Sequence, residues 1–272
     1  MFDNKKIGLA LSGGGALGAA HIGAIEELEK AGIRIDYISG VSSGAIIGLA
    51  YAAGGLDSLH NFYDAALTNL AKKDKFVFAK GPDAVFGYIK RALEDICRGK
   101  DFSQMAIPFS CLATNLATGE REVFISGNPV ASVLASSAYP GFFAAQKLNG
   151  KFYIDGGVTR NLPVDEVRMT GADFVISSSS YVVDRITDEK AGGMGRFEAA
   201  ARALDILEKE LCRFEEKRGD FCFKPPVAQY HWFDFFKMEE ILEQGRANAA
   251  AQIKDLLPLL KQTSDIAKIS GR

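Results

Sequence analysis

Gly40-Val41-Ser42-Ser43-Gly44 stands between an apolar stretch and an alanine-rich run, residues 45–53. An apolar run that breaks at glycine and resumes in helix-forming residues predicts a sharp turn from strand to helix. Gly-x-Ser-x-Gly in such a turn lifts one serine hydroxyl clear of its neighbours. Glycine on either side removes Cβ atoms that would clash. The helix that follows opens with unpaired N–H groups and positive partial charge beside that hydroxyl. Ser42 is therefore the candidate nucleophile, supported by Gly40 and Gly44, and the chemistry it suggests is acyl transfer. Ser43 does not hold the central place of the motif and is expected to mark the helix start. The same five residues also suit a plain glycine–serine turn, so the motif alone leaves both readings open.

The flanking segments give the turn a setting. Residues 7–11 are a short apolar run ending in Ser12-Gly13-Gly14-Gly15. Residues 18–31 carry Ile22, Ile25 and Leu28 on one face and Glu26, Glu27, Glu29 and Lys30 on the other, an amphipathic helix closed by Gly32. Residues 33–39 form the second expected strand. Strand–helix–strand–helix over so short a stretch predicts an α/β fold with a parallel sheet and helical crossovers. Further strands are expected at 107–114, 122–125, 152–154 and 174–178. Helices are expected at 56–72, 83–97, 130–138, 196–213 and 238–260, with Pro258 kinking or ending the last. Residues 181–195 are polar, with Gly192, Gly193 and Gly195, and are the expected mobile segment. No break in composition divides the 272 residues, so one domain is expected.

Composition narrows the class. An apolar fraction of 47% and a charged fraction of 24% suit a globular protein with a substantial core. A net charge of −2 gives no case for nucleic-acid binding. No apolar run is long enough to span a bilayer, and no secretory signal is evident. Cys97, Cys111, Cys212 and Cys222 are scattered, with no Cys-x-x-Cys and no histidine at metal spacing, so free thiols and a reducing cytosol are expected, with no metal.

Two glycine motifs accompany the serine. Gly13-Gly14-Gly15-Ala16-Leu17-Gly18 opens the first helix, where several N–H groups can converge on an anion. It suits a dinucleotide pyrophosphate, an oxyanion hole or a tight turn. The dinucleotide reading expects an acid ending the second strand. Asp36 has about the right spacing but precedes Tyr37 and Ile38. The second motif, Asp155-Gly156-Gly157, follows Phe152-Tyr153-Ile154. Three motifs at strand ends predict one shared edge, because the C-terminal ends of parallel strands gather there.

Taken together, these blocks resemble the patatin-like phospholipase family. The resemblance rests on Gly13 to Gly18 with His21-Ile22-Gly23, on Gly40 to Ala45, on Ala135-Ser136-Ser137-Ala138-Tyr139-Pro140-Gly141-Phe142-Phe143, and on Asp155 to Pro163. It covers roughly residues 7–180. It implies a three-layer α/β/α fold with a mostly parallel central sheet, related to the cytosolic phospholipase A2 catalytic fold. A catalytic core at 5–180, a helical completion or lid at 181–261 and a polar tail at 262–272 would follow. It implies a Ser–Asp dyad, Ser42 as nucleophile and Asp155 as proton acceptor. Gly13, Gly14 and Gly15, chiefly the last two, would supply oxyanion N–H groups, with Gly18, Gly156 and Gly157 in support. Leu17 departs from the basic residue many members carry, which weakens a charge-assisted anion site but leaves the backbone donors. An aspartate of ordinary acidity is a poor base for a hydroxyl, and burial is the means of correcting that.

A triad is the rival arrangement, since Ser42, Asp155 and His231 follow the α/β-hydrolase order. The serine comes after only about two strands, early for that fold. His231 lies in the aromatic run Tyr230 to Phe236, which suits core packing or an acyl pocket. His21 is expected to pack or cap, and His60 to sit on a helix surface. Between Lys72 and Lys100, basic residues alternate with Phe76, Val77, Phe78, Phe86 and Tyr88, a solvated surface or a rim for anionic lipid headgroups. The expected partner is a lipid or acyl-ester substrate, with transient contact at a membrane surface open to a cytoplasmic enzyme. The leading reading is a serine lipid acyl hydrolase without a cofactor. A transacylase, a non-catalytic lipid-binding protein and a nucleotide-binding protein are the alternatives.

Overall fold

Along β1 (Ile7–Leu11), Ile7, Leu9 and Leu11 face one apolar core while Ala10 faces another. A strand whose two faces are both buried belongs inside a sheet covered on both sides. The computed structural model, which describes residues 5–68 and 81–269, has that arrangement. After β1 come α1 (Ala19–Lys30), β2 (Tyr37–Gly40), α2 (Ser43–Ala52), α3 (Gly55–Phe62) and α4 (Pro82–Cys97). Then follow β3 (Phe109–Asn115), β4 (Arg121–Phe124), α5 (Pro129–Ser136), β5 (Gln146–Leu148) and β6 (Lys151–Ile154). The chain ends with α6 (Val164–Met169), β7 (Phe174–Ser178), α7 (Asp188–Gly192), α8 (Arg196–Glu215), β8 (Phe221–Phe223) and α9 (Met238–Ile269).

The sheet order is β5-β6-β3-β2-β1-β7-β8, with β4 also paired to β3. The five strands β3-β2-β1-β7-β8 are parallel, and β4, β5 and β6 add antiparallel pairings at one side. Helices α1, α2, α4 and α9 contribute to the larger core. Val164 and Val167 of α6 and Cys212 of α8 pack on the opposite face with Ala10 and Val175. The expected three-layer α/β/α architecture is therefore the one observed.

Several boundaries differ for local reasons. The second strand begins at Tyr37 because Asp36 turns to accept the N–H of Ile7 at 2.9 Å. β5 and β8 are three residues each, too short to show alternation. The last helix does not end at Pro258 but continues to Ile269. Leu256 and Leu260, on either side of the proline, are fully buried, which offsets the lost N–H bond. Residues 56–72 divide into α3 and a wider turn, Tyr63–Thr68. The rest of that segment, with Lys72 to Lys80 and Phe76, Val77 and Phe78, lies outside the described residues. Residues 181–195 hold buried Tyr181 and the short α7. Among the described residues no helix is long and apolar enough to cross a membrane.

Helices α1 and α9 meet backbone to backbone. A Cβ on Gly245 would stand 2.6 Å from Ala20 Cα, and one on Gly23 would meet the carbonyl of Leu242 at 2.5 Å. Gly87 in α4 has nothing within 4 Å of its would-be Cβ. Gly245→Ala is therefore expected to cost about 1–3 kcal/mol by forcing the helices apart. Gly87→Ala is expected to gain about 0.5–1 kcal/mol from helix propensity alone. Urea unfolding of the two variants checks the opposite signs.

Candidate active site

The second strand ends where a side chain would be intolerable. A Cβ on Gly40 would collide with the backbone of Gly44 and Ala45, and one on Gly44 would meet the carbonyls of Leu11 and Ser12. With both positions bare, the chain turns between them. Ser42 sits in the turn at φ 52 and ψ −123, a backbone that non-glycine residues avoid. Its N–H donates to Ser136 Oγ at 2.9 Å, which fixes the turn to the end of α5. Its hydroxyl makes no capping bond to α2.

Next to it runs the glycine loop. A Cβ on Gly13 would stand 3.2 Å from Ser42 Cβ, so the loop and the serine are in contact. Gly14 and Gly15 have φ of 151 and 57, where glycine is favoured. The three expected donors are not equivalent. The Gly13 N–H is occupied, donating to the backbone oxygen of Asn161 at 3.1 Å and to its Oδ1 at 2.9 Å. Ala16 donates to the Trp232 carbonyl at 2.7 Å. Among the described residues no acceptor faces the N–H of Gly14 or Gly15, so these two are the donors left for a ligand. Gly18 is bare because Ser43 Oγ stands 2.6 Å from where its Cβ would be.

Asp155 reaches the same edge by a route the sequence argument misassigned. It does not follow a parallel strand, because β6 runs antiparallel to β3. β3 extends past the end of β2, and β6 returns along that extension, pairing Ile154 with Thr114. The return brings Asp155 back toward Ser42. Asp155 Oδ1 accepts the N–H of Gly157 at 2.8 Å, while Oδ2, fully buried, accepts no hydrogen bond of good geometry. Burial pushes its carboxyl up to about 7; the Gly157 N–H and the nearby Ser42 hydroxyl oppose that rise only in part.

The patatin-like phospholipase family model matches residues 9–168, more than half of the chain and all of the elements just described except the final helices and two strands. The chain belongs to the patatin-like phospholipase family. It is 27% identical to a lysophospholipase of Debaryomyces hansenii over all of this chain and 19% of that protein. It is 35% identical to an NTE family protein of Mycobacterium tuberculosis over 65% of this chain and 49% of the other. The chain thus spans from about a fifth to half of the length of these relatives. Human GIVD cytosolic phospholipase A2 shares the fold, with a TM-score of 0.54 at 12% identity over 94% of this chain and 60% of that one. VipD of Legionella pneumophila does so with a TM-score of 0.50 at 15% identity, over 95% of this chain and 67% of that one.

In this patatin-like chain Ser42, Asp155 and the glycine loop open into one cleft. Ile46, Ile47, Val85, Ile89, Phe143 and Met238 make its walls predominantly apolar. Trp232 and Phe235 reach the same cleft, so part of the aromatic run lines it. None of the three histidines does. His231 is exposed and its Nδ1 accepts the Phe233 N–H at 3.2 Å. His60 pairs with Glu26 at 2.8 Å. His21 is buried between the Ser12 carbonyl at 2.9 Å and Ser178 Oγ at 2.8 Å, and burial pushes it down to about 4, so it is neutral. Asp36 lies at the opposite end of the sheet, beside the start of β1, where it cannot hold a ribose at the glycine loop.

Sequence reasoning did not single out Ser136, Asn161, Tyr181 or Glu208. Ser136 and Asn161 lie inside the motif blocks, so their signal was present without a role. Tyr181 and Glu208 lie beyond them and become visible only when α8 packs beside Asp155.

A carboxyl raised from 3.8 to about 7 by burial has a stability consequence. Between those values the folded chain keeps a proton that the unfolded chain has released, so stability falls as pH rises through that window. At about 1.4 kcal/mol per tenfold in proton affinity, the loss is on the order of 4 kcal/mol at most. Asp155→Asn keeps an acceptor for the Gly157 N–H and removes the ionisable group. It is expected to melt above the wild type at about pH 8, with a gain that shrinks toward pH 4. Thermal melts across that range check it; a gain independent of pH would contradict it.

Proposed function

We propose that the chain is a serine acyl hydrolase of lipid esters, of the phospholipase A or lysophospholipase type, working through a Ser42–Asp155 dyad. The observation that carries this reading is the strained, histidine-free Ser42 in an apolar cleft, beside a buried carboxyl and two unengaged backbone N–H groups. The apolar walls suit a fatty acyl chain, and the named function of the lysophospholipase relative agrees with that substrate class. Esters of this kind are presented at a lipid–water interface, so transient contact with a membrane surface is part of the reading.

The chemistry follows from the residues. Asp155, ionised, takes the Ser42 proton on Oδ2 while Oδ1 stays on the Gly157 N–H. Its raised proton affinity makes it a better base than an ordinary carboxylate. Ser42 Oγ bonds to the ester carbonyl carbon, and the oxygen that gains the charge faces the N–H groups of Gly14 and Gly15. One such donor is typically worth about 3 kcal/mol in the barrier. Collapse breaks the ester bond and the leaving alcohol takes the proton from Asp155; water, deprotonated by Asp155, then bonds to the acyl carbon, and Asp155 returns that proton to Ser42 Oγ as the fatty acid leaves.

A fluorophosphonate probe with mass mapping tests the reading, with label expected on Ser42. Ser42→Ala and Asp155→Ala are each expected to lower ester hydrolysis by about 10³-fold or more, while His231→Ala keeps most of it. The wild-type kcat/KM is expected to rise with pH through about 7, as Asp155 ionises. A folded chain that never labels would sink the proposal. Labelling without fatty acid release, unless an acceptor alcohol is supplied, would make the protein a transacylase.

A further inference from the structure

Behind Asp155 lies a second buried carboxyl, Glu208 of α8, which is only 2% exposed and also lines the cleft. A Cβ on Gly157 would stand 2.9 Å from Glu208 Oε2 and 3.2 Å from Asp155 Oδ1, so the two carboxyls flank the space of one missing methyl group. The residue lies beyond the part of the chain that the family model matches. Its surroundings are acidic or neutral. Asp155 faces it from the turn after β6, Asp205 and Cys212 from its own helix, Tyr181 from the segment after β7 and Tyr139 from the segment after α5. Both phenols donate to Asp205 Oδ1, Tyr139 at 2.6 Å and Tyr181 at 3.1 Å. The arginines of this region are engaged elsewhere, Arg202 with Asp184 and Arg160 with Asp165 and Glu215. Among the described residues no cation faces Glu208.

Two buried carboxyls on either side of that space at Gly157 oppose each other's ionisation, so over an intermediate pH range the pair carries one charge and one proton. Geometry decides which group holds which. Asp155 has a backbone N–H at 2.8 Å on Oδ1 and the Ser42 hydroxyl nearby. Glu208 has weaker support: Oε1 accepts no hydrogen bond of good geometry, Oε2 has Asn161 Nδ2 at 3.5 Å, and the nearby Tyr181 hydroxyl favours its charged form only in part. The charge settles on Asp155, which has a backbone N–H at short range, and the proton on the less supported Glu208.

We propose that Glu208 is a positioning residue for the Asp155 base: it holds the proton of the buried pair while the enzyme works, and its ionisation at higher pH stops catalysis. The proposal rests on the dyad reading above. Neutral Glu208 leaves Asp155 as the only negative charge behind Ser42. Ionised Glu208 would add a second, uncompensated charge close to the forming oxyanion, because Asn161 links it to Gly13 of the glycine loop. Burial and the neighbouring Asp155 charge push Glu208 well above the usual carboxylate range, opposed only in part by the Tyr181 hydroxyl.

The test joins infrared spectroscopy to kinetics on the full chain. At about pH 8, above the value of about 7 for Asp155, the wild type is expected to show a protonated-carboxyl C=O band that Glu208→Gln lacks. As pH rises, loss of that band should coincide with an alkaline fall in kcat/KM for an activated aryl ester. With each profile scaled to its own maximum, Glu208→Gln should keep the acid limb and lose the alkaline one. In Asp155→Asn the band should vanish at lower pH, because the neighbouring charge is gone; this measurement stands even if Glu208→Gln does not fold. Absence of the band, a wild-type profile without an alkaline limb, or the same limb in Glu208→Gln overturns the proposal. Failure of Ser42 to take a fluorophosphonate label would instead overturn the dyad reading on which it rests.

Discussion

Gly44 packs its bare Cα against the carbonyls of Leu11 and Ser12, closer than any side chain permits. That contact locks the start of α2 onto the end of β1. The Val41 N–H reinforces it by donating to the Leu11 carbonyl at 3.1 Å. With both sides of the turn fixed, Ser42 has no relaxed conformation available and takes φ 52. A backbone in so sparsely populated a region costs an L-residue roughly 1–3 kcal/mol. The buried sheet bears that cost, since Leu9, Leu11, Ile38 and Val41 are all buried around the turn. Because Gly13 touches Ser42 and Gly18 touches Ser43, the glycine loop cannot shift without the serine. Ser42 and the glycine loop are therefore held as one rigid unit, the condition under which backbone donors are most effective in the proposed reaction.

Dryness at this edge of the sheet sets the ionisation of three groups around the unit. His21 is pushed down, while Asp155 and Glu208 are pushed up, and burial is the largest cause in each case. All three shifts favour the neutral form. His21, neutral, must place its proton on Nε2 to satisfy the Ser12 carbonyl, so it braces the glycine loop and does not compete for the serine proton. The same environment that makes Asp155 costly to ionise also strengthens whatever electrostatic interaction remains there. Stability and proton affinity are thus opposed at one residue, a common arrangement at sites that need a perturbed base.

The parts of this arrangement that were legible in sequence are local. Gly40-Val41-Ser42-Ser43-Gly44 announces a strand-to-helix turn because both glycines serve contacts made within a few residues or with the adjacent strand. The glycine loop and the helix 18–31 are legible for the same reason, and the paired burial pattern of β1 follows from its apolar run. Asp155 was located at the right edge for the wrong reason: an antiparallel return of β6 leaves no trace in the motif it precedes. The occupation of the Gly13 N–H was hidden too, because its acceptor Asn161 is far along the chain. Glu208 reads as an ordinary helix-surface glutamate in Leu207-Glu208-Lys209-Glu210. Only the packing of α8 against Gly157 turns it inward. Pro258 does not end the last helix, since a proline is a local signal and the burial that overrides it is not.

The division between matched and unmatched chain has a physical meaning at the cleft. The serine, the aspartate and the loop all lie within residues 9–168, and their geometry depends on strand ends and glycines. Much of the wall does not. Ala16 of the loop is held by the Trp232 carbonyl, and a Cβ on Gly15 would stand 3.2 Å from the Trp232 ring. Trp232 in turn packs edge-on against Phe142 at 5.5 Å, joining the late segment to the motif block after α5. Tyr181, Glu208, Phe235 and Met238 also reach the cleft from beyond the matched part. Apolar walls discriminate by shape and volume, and many sequences of similar volume satisfy them. The turn at Ser42 tolerates far fewer, because one Cβ at Gly40 or Gly44 destroys it. The turn and the loop are consequently written in short fixed motifs, while the shape of the cleft depends largely on side chains outside them.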